Sequence, residues 1–72
     1  MTAMTNFDIS LNGKRIDTDA ATLQALLVAQ GYELQSAFAC AINSSFVPRS
    51  KWPERSLQAG DRVDVITPIA GG

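Results

Sequence analysis

The sequence ends Ile69-Ala70-Gly71-Gly72, which sets one reactive group apart from the rest, the carboxylate of Gly72. A carboxylate is a poor electrophile, because its charge repels nucleophiles and oxide is a bad leaving group. Given a better leaving group, the same carbon accepts a nucleophile readily. Two terminal glycines suit such a group sterically. Without Cβ the backbone takes dihedral angles closed to other residues and threads a narrow channel. It can also come close to a nucleotide phosphate, as glycine allows in phosphate-binding loops.

Little else in the chain could do chemistry. There is one cysteine, Cys40, and no histidine. A Cys/His metal site, a four-cysteine iron–sulfur site and a Ser/His or Cys/His catalytic pair are therefore excluded. Cys40 alternates with Phe38 and Ile42, so it reads as a small core residue and not as a relay thiol. The reading is of a protein that is not itself an enzyme and binds no metal or cofactor. Six basic and seven acidic residues are scattered along the chain, so no basic patch points to nucleic acid. No apolar run approaches the roughly 18–20 residues of a membrane span. Met1 to Asn6 has neither the basic segment nor the apolar stretch of a signal peptide, and a cytoplasmic location is expected.

These groups must be held by a small scaffold. A chain of 72 residues is read as a single domain, and one this short buries only about 60% of its unfolded surface. Phe7-Asp8-Ile9-Ser10-Leu11 alternates as a half-buried strand should. Asn12-Gly13 is the preferred pair for a type I′ turn, in which both central residues need positive φ. Lys14 to Asp17 then returns as a polar edge strand. Leu23, Leu26 and Leu27 make one helical stripe, capped by Thr22, or by Asp19 a turn earlier, and ended by Gly31. The helix is expected over about Leu23 to Gln30. Phe38 to Ile42 reads as a third strand, Asn43-Ser44-Ser45 as a turn, and Phe46-Val47 as a short strand ended by Pro48. Arg49 to Leu57 is expected to be irregular with one helical turn. Arg62 to Ile66 is the last strand, with Val63 and Val65 inward. The pattern predicts an α+β β-grasp fold, a mixed sheet of four to five strands crossed by one main helix. Residues 1–6 read as an N-terminal extension and 68–72 as a flexible tail, ordered only on a partner.

The segment Ala39-Cys40-Ala41-Ile42-Asn43-Ser44-Ser45-Phe46-Val47-Pro48-Arg49-Ser50-Lys51-Trp52 resembles the thiamine-biosynthesis sulfur carrier family, ThiS. The family pattern is approximately A-x-A-I/V-N-x-x-x-V-P-R-x-x-W. It continues to a G-D turn, here Gly60-Asp61, an apolar strand, here Val63 to Ile66, and I/V-x-G-G, here Ile69 to Gly72. Two features depart from it. The first few residues extend beyond the usual start, leaving Met4 as an alternative initiator. Asp64 stands where an apolar residue is common, against a wholly apolar partner surface.

The resemblance implies a ubiquitin-like fold with the N- and C-terminal strands as central, parallel neighbours. It also implies that the Gly72 carboxylate is adenylated by a separate E1-like enzyme, which consumes ATP. Sulfur arriving from a donor through a persulfide enzyme would convert it to a thiocarboxylate, which thiazole synthase would use. Ile69, Ala70 and Gly71 would form the tail that enters partner active sites. Ile66, Pro68, Arg49 and Trp52 are candidate partner contacts, although Trp52 covering one end of the core, with Arg49 solvated beside it, is an equal reading. Two other roles fit a diglycine β-grasp protein: a carrier like the small subunit of molybdopterin synthase, and a ubiquitin-like protein modifier.

Overall fold

A computed structural model of the chain describes residues 6–67. The N-terminal extension, but for Asn6, and the whole 68–72 tail with its proposed sulfur-carrying Gly72 lie outside the described residues.

The described elements run β1 (Phe7–Leu11), β2 (Lys14–Thr18), α1 (Leu23–Ala29), β3 (Ala39–Ile42), β4 (Ser45–Val47), a single 3-10 turn (Arg49–Lys51) and β5 (Arg62–Ile66). The sheet order is β2-β1-β5-β3-β4. β1 and β5 are parallel neighbours, with Ser10 opposite Arg62 and Leu11 opposite Val63. Every other pairing is antiparallel. This five-stranded mixed sheet with one helix is the β-grasp fold that the sequence pattern predicts.

The turns account for the hairpins. Asn12 and Gly13 have φ of 53° and 84°, the left-handed pair that a type I′ turn requires. Asn43 and Ser44 make the second hairpin turn with φ of 53° and 70°, although neither is glycine. The turn is therefore one residue shorter than the expected Asn43-Ser44-Ser45, and Ser45 joins β4.

Both ends of α1 are satisfied. The Thr22 hydroxyl accepts from the Ala25 amide at 3.2 Å, which settles the cap in favour of Thr22 over Asp19. The two preceding helical amides donate outside the helix, Leu23 to the Arg55 carbonyl at 2.9 Å and Gln24 to the Trp52 carbonyl at 3.1 Å. Part of the Arg49–Leu57 stretch is thus the cap of α1. At the other end Gly31 has φ of 90°; its amide donates to Val28 O at 3.1 Å, and that of Tyr32 to Leu27 O at 2.9 Å. That pair of bonds is a Schellman motif, which ends the helix at Ala29 with Gln30 as its cap.

Leu23, Leu26 and Leu27 pack in one buried cluster with Ile9, Cys40, Ile42, Val47, Trp52, Leu57 and Val63. Phe7, Leu11, Ile16 and Val65 flank it, half-buried. Val63 is fully buried and Val65 only partly so, because β1 ends at Leu11, opposite Val63.

β5 is held at both flanks by an asparagine. Asn43 Oδ1 accepts from the Arg62 amide at 2.9 Å, while Asn43 Nδ2 donates to Asp61 Oδ1 at 3.1 Å. Asn12 Oδ1 accepts from the Val65 amide at 2.7 Å. Truncating Asn43 leaves a backbone amide and a part-buried carboxylate short of a partner. We expect Asn43→Ala to cost about 1–3 kcal/mol in urea unfolding, and Ser45→Ala, two residues on and exposed, less than about 0.5 kcal/mol.

Candidate functional site

The candidate contact residues fall into two groups. Ile66 closes β5 immediately before Thr67 and the 68–72 segment, and it is 55% exposed. Alternation places it with Arg62 and Asp64 on the face of the sheet turned away from α1. Register brings Ala39 opposite Ile66, Ala41 opposite Asp64, and Phe46 opposite Ala41. Two small residues thus lie between two large exposed ones, Ile66 and Phe46, the latter 67% exposed. Asp64 interrupts this apolar surface, with its carboxylate 3.6 Å from Arg62 Nε. Ile66 is therefore at the surface, and Phe46 shares its face of the sheet. Sequence reading took Phe46 only as a strand residue. The signal that could have singled it out is the Phe46-Val47 pair, since adjacent strand residues face opposite ways and Val47 takes the core side.

Trp52 does not offer itself to a partner. It is 2% exposed, its indole Nε1 donates to Val47 O at 3.0 Å, and its ring stacks on Phe38 with centroids 5.0 Å apart. Its candidacy as a partner contact is corrected accordingly: burial in the cluster beneath β4 removes its side chain from the surface. Arg49 is at the surface, yet it is engaged rather than merely solvated. Its guanidinium lies 4.4 Å from the Trp52 ring centroid and 5.3 Å from that of Phe38. Nη1 donates to Leu34 O; Nη2 donates to Ser36 O at 2.7 Å and to Phe38 O at 3.1 Å. The planar fork and the stacking face of arginine are both in use. The structure therefore brings Arg49 and Trp52 together, with Ile66 one cross-strand step from the same clamp through Ala39. Pro68, Ile69, Ala70, Gly71 and Gly72 lie outside the described residues.

Cys40 is fully buried on the inner face of β3, opposite Val47 on one side and Val65 on the other. Burial pushes its thiol up to about 11 from the ordinary 9.0, with the Arg49 charge pulling weakly the other way. A thiol held protonated and inaccessible is a poor nucleophile. Among the described residues no helix is long and apolar enough to cross a membrane.

The ThiS family model matches residues 7–72. The sulfur carrier protein ThiS of Escherichia coli (strain K12) is 39% identical to this chain over 46 residues, which is 64% of this chain and 70% of that one. The crystal structure of a thiamine biosynthesis protein (ThiS) from Geobacter metallireducens aligns with a TM-score of 0.77 at 22% identity, covering 92% of this chain and 100% of that one. An NMR solution structure of a thiamine biosynthesis protein from the same organism aligns with a TM-score of 0.72 at 22% identity, covering 92% and 88%. At that identity the two structures show a shared fold.

The buried thiol carries a pH dependence. The folded state keeps its proton to a higher pH than the unfolded chain does, so its contribution is complete below about 9 and is lost as pH rises toward about 11. Each unit of the difference corresponds to roughly 1.4 kcal/mol. The expected result is that stability of the wild type falls more steeply than that of Cys40→Ala across this window in denaturant titrations. Cys40→Ala itself should remain folded and lose about 1 kcal/mol at neutral pH.

Proposed function

The chain belongs to the ThiS family, and on that premise we propose that it is a sulfur carrier in thiamine biosynthesis whose working group is the Gly72 carboxylate. The observation that carries this reading is the family match running through Gly72, with the specific Asn43 to Trp52 signature upstream of it. The fold supports it: β5 is a central strand that ends at Ile66, six residues before Gly72 in the sequence, and extended chain reaches at most about 3.3–3.6 Å per residue.

In this reading the catalytic groups and ATP belong to an adenylating enzyme. Attack of the Gly72 carboxylate on the α-phosphorus of ATP expels pyrophosphate and forms the acyl-adenylate. The outer sulfur of an enzyme persulfide attacks the carbonyl and displaces AMP, giving an acyl disulfide. A thiol then cleaves its S–S bond, itself ending in a disulfide, and releases the Gly72 thiocarboxylate, which passes its sulfur to thiazole synthase. The chain supplies the reacting carbonyl and a recognisable body, and it needs no nucleophile of its own. Cys40, buried and protonated, takes no part in the relay. Ile66 and Phe46, exposed on the outer face of the sheet, offer these partners an apolar surface.

Deleting Gly72 moves the carboxylate back by about 3.5 Å of extended chain. A misplacement near 1 Å can cost about a hundredfold in a positioned reaction. The expected outcome is loss of at least about a hundredfold in ATP–pyrophosphate exchange with the cognate adenylating enzyme, with thermal unfolding unchanged. A C-terminal tag, which turns the carboxylate into an amide, should abolish exchange, and an N-terminal tag should not. Protein purified with its own C-terminus and loaded with sulfur should gain about 16 mass units, from the atomic masses of oxygen and sulfur, placed on Gly72 by fragmentation. Full exchange by the Gly72-deleted protein would overturn the reading.

A further inference from the structure

β5 is unevenly supported. β1 flanks it at Arg62 and Val63 and stops at Leu11, opposite Val63, while β3 flanks it from Val63 on and reaches Ala39, opposite Ile66. On the β1 side the hold on Val65 is a side chain, Asn12 Oδ1, which accepts the Val65 amide at 2.7 Å. The last residues of β5 before the 68–72 segment thus depend on the first residues of β3 and on Asn12.

Both supports lead to the stretch between α1 and β3. Phe38 is the residue immediately before Ala39, and its carbonyl accepts from Arg49 Nη2 at 3.1 Å. On the other route Asn12 Nδ2 donates to the Tyr32 hydroxyl at 3.5 Å, and the Tyr32 and Phe38 rings lie 5.5 Å apart. Phe38 in turn stacks on Trp52, and the Arg49 guanidinium covers both. Arg49 also takes the carbonyls of Leu34 and Ser36. One guanidinium therefore fastens a stretch without strand or helix to a platform, Trp52, that is buried and hydrogen-bonded to Val47 O.

We propose that Arg49 is a positioning residue: by clamping 34–38 onto Trp52 it holds Val65 and Ile66 in place and so sets the point at which the chain leaves the sheet on its way to Gly72. The proposal rests on the Gly72 reading for its consequence, and on the structure alone for the coupling. Lysine keeps the charge but cannot serve three carbonyls with a planar fork or stack on two rings. Loosening at this end is a local opening, and it leaves the β1–β2 hairpin as it was. Once a partner orders the tail, slack at Ile66 is carried forward to the reacting carbonyl, where position governs rate.

The test is Arg49→Lys in the full chain, with Phe38→Leu as a second variant that keeps apolar volume and removes the stack. If one of them fails to fold, the other decides. Backbone amide hydrogen exchange should show about tenfold loss of protection at Val65 and Ile66, with Ile9 and Ile16 within about twofold of wild type. In ATP–pyrophosphate exchange kcat should fall by about tenfold while KM for the carrier stays within about threefold. Unchanged protection at Val65 and Ile66 would overturn the coupling, as would an equal loss across β1 and β2, which marks a merely structural role. A rise in KM with kcat unchanged would overturn it too, by making Arg49 a direct partner contact. If wild-type protein supports no exchange, the Gly72 reading fails, and hydrogen exchange still decides whether Arg49 governs the end of β5.

Discussion

The fold depends on how β5 is gripped between β1 and β3. A parallel pair cannot be closed by a tight turn, so β1 and β5 must find each other across nearly the whole chain. Two asparagines in left-handed turns guard that placement, one on each flank. Asn43 takes the Arg62 amide where β5 begins and Asn12 takes the Val65 amide where it ends. Each side chain supplies an acceptor at a spot where a neighbouring strand has already turned away. Because strand side chains alternate, a slip of one residue would send Val63 to the outer face and Asp64 to the core. The same grip fixes where the chain leaves the sheet.

The signature from Asn43 to Trp52 is, on this view, architecture in the service of distant chemistry. Asn43 ties the second hairpin to Asp61, whose carboxylate also accepts the Gln58 amide at 2.9 Å. Val47 fills the core and Pro48 ends the strand. Trp52 closes the cluster, while its carbonyl caps α1 through Gln24. Arg49 secures the stretch before β3. A chain of this size has little apolar surface to bury, so side chains that each satisfy several backbone groups supply definition that a larger core would otherwise provide. On the proposed reading the reactive group is at the terminus, and the residues of this signature are then devoted to holding the frame.

The two faces of the sheet divide the work. The inner face with α1 takes the leucines, Cys40 and Val63. The outer face carries the Arg62–Asp64 pair beside the exposed Ile66 and Phe46. An apolar surface interrupted by a charge pair favours reversible contact over permanent association, since permanent interfaces are the more hydrophobic ones. That suits the proposed role, in which the body meets an adenylating enzyme and then a sulfur acceptor.

Much of this is legible in the sequence itself, for a physical reason that differs by element. The Asn12-Gly13 turn, the Leu23-Leu26-Leu27 stripe, the Thr22 cap and the Gly31 stop are local, each set by the conformational preferences of a few adjacent residues. The strand alternation and terminal Gly-Gly are equally local, and with the Asn43 to Trp52 signature they pointed to the family. What tertiary structure alone decided are the contacts between residues far apart in sequence. The burial of Trp52, the hold of Arg49 on Leu34, Ser36 and Phe38, the reach of Asn12 to Val65, and the placing of Phe46 and Ile66 on one face all depend on strand order and register. Neither is encoded within a short window. An arginine beside a tryptophan reads the same in sequence whether it faces solvent or fastens a loop, because only the folded chain brings the carbonyls within its reach.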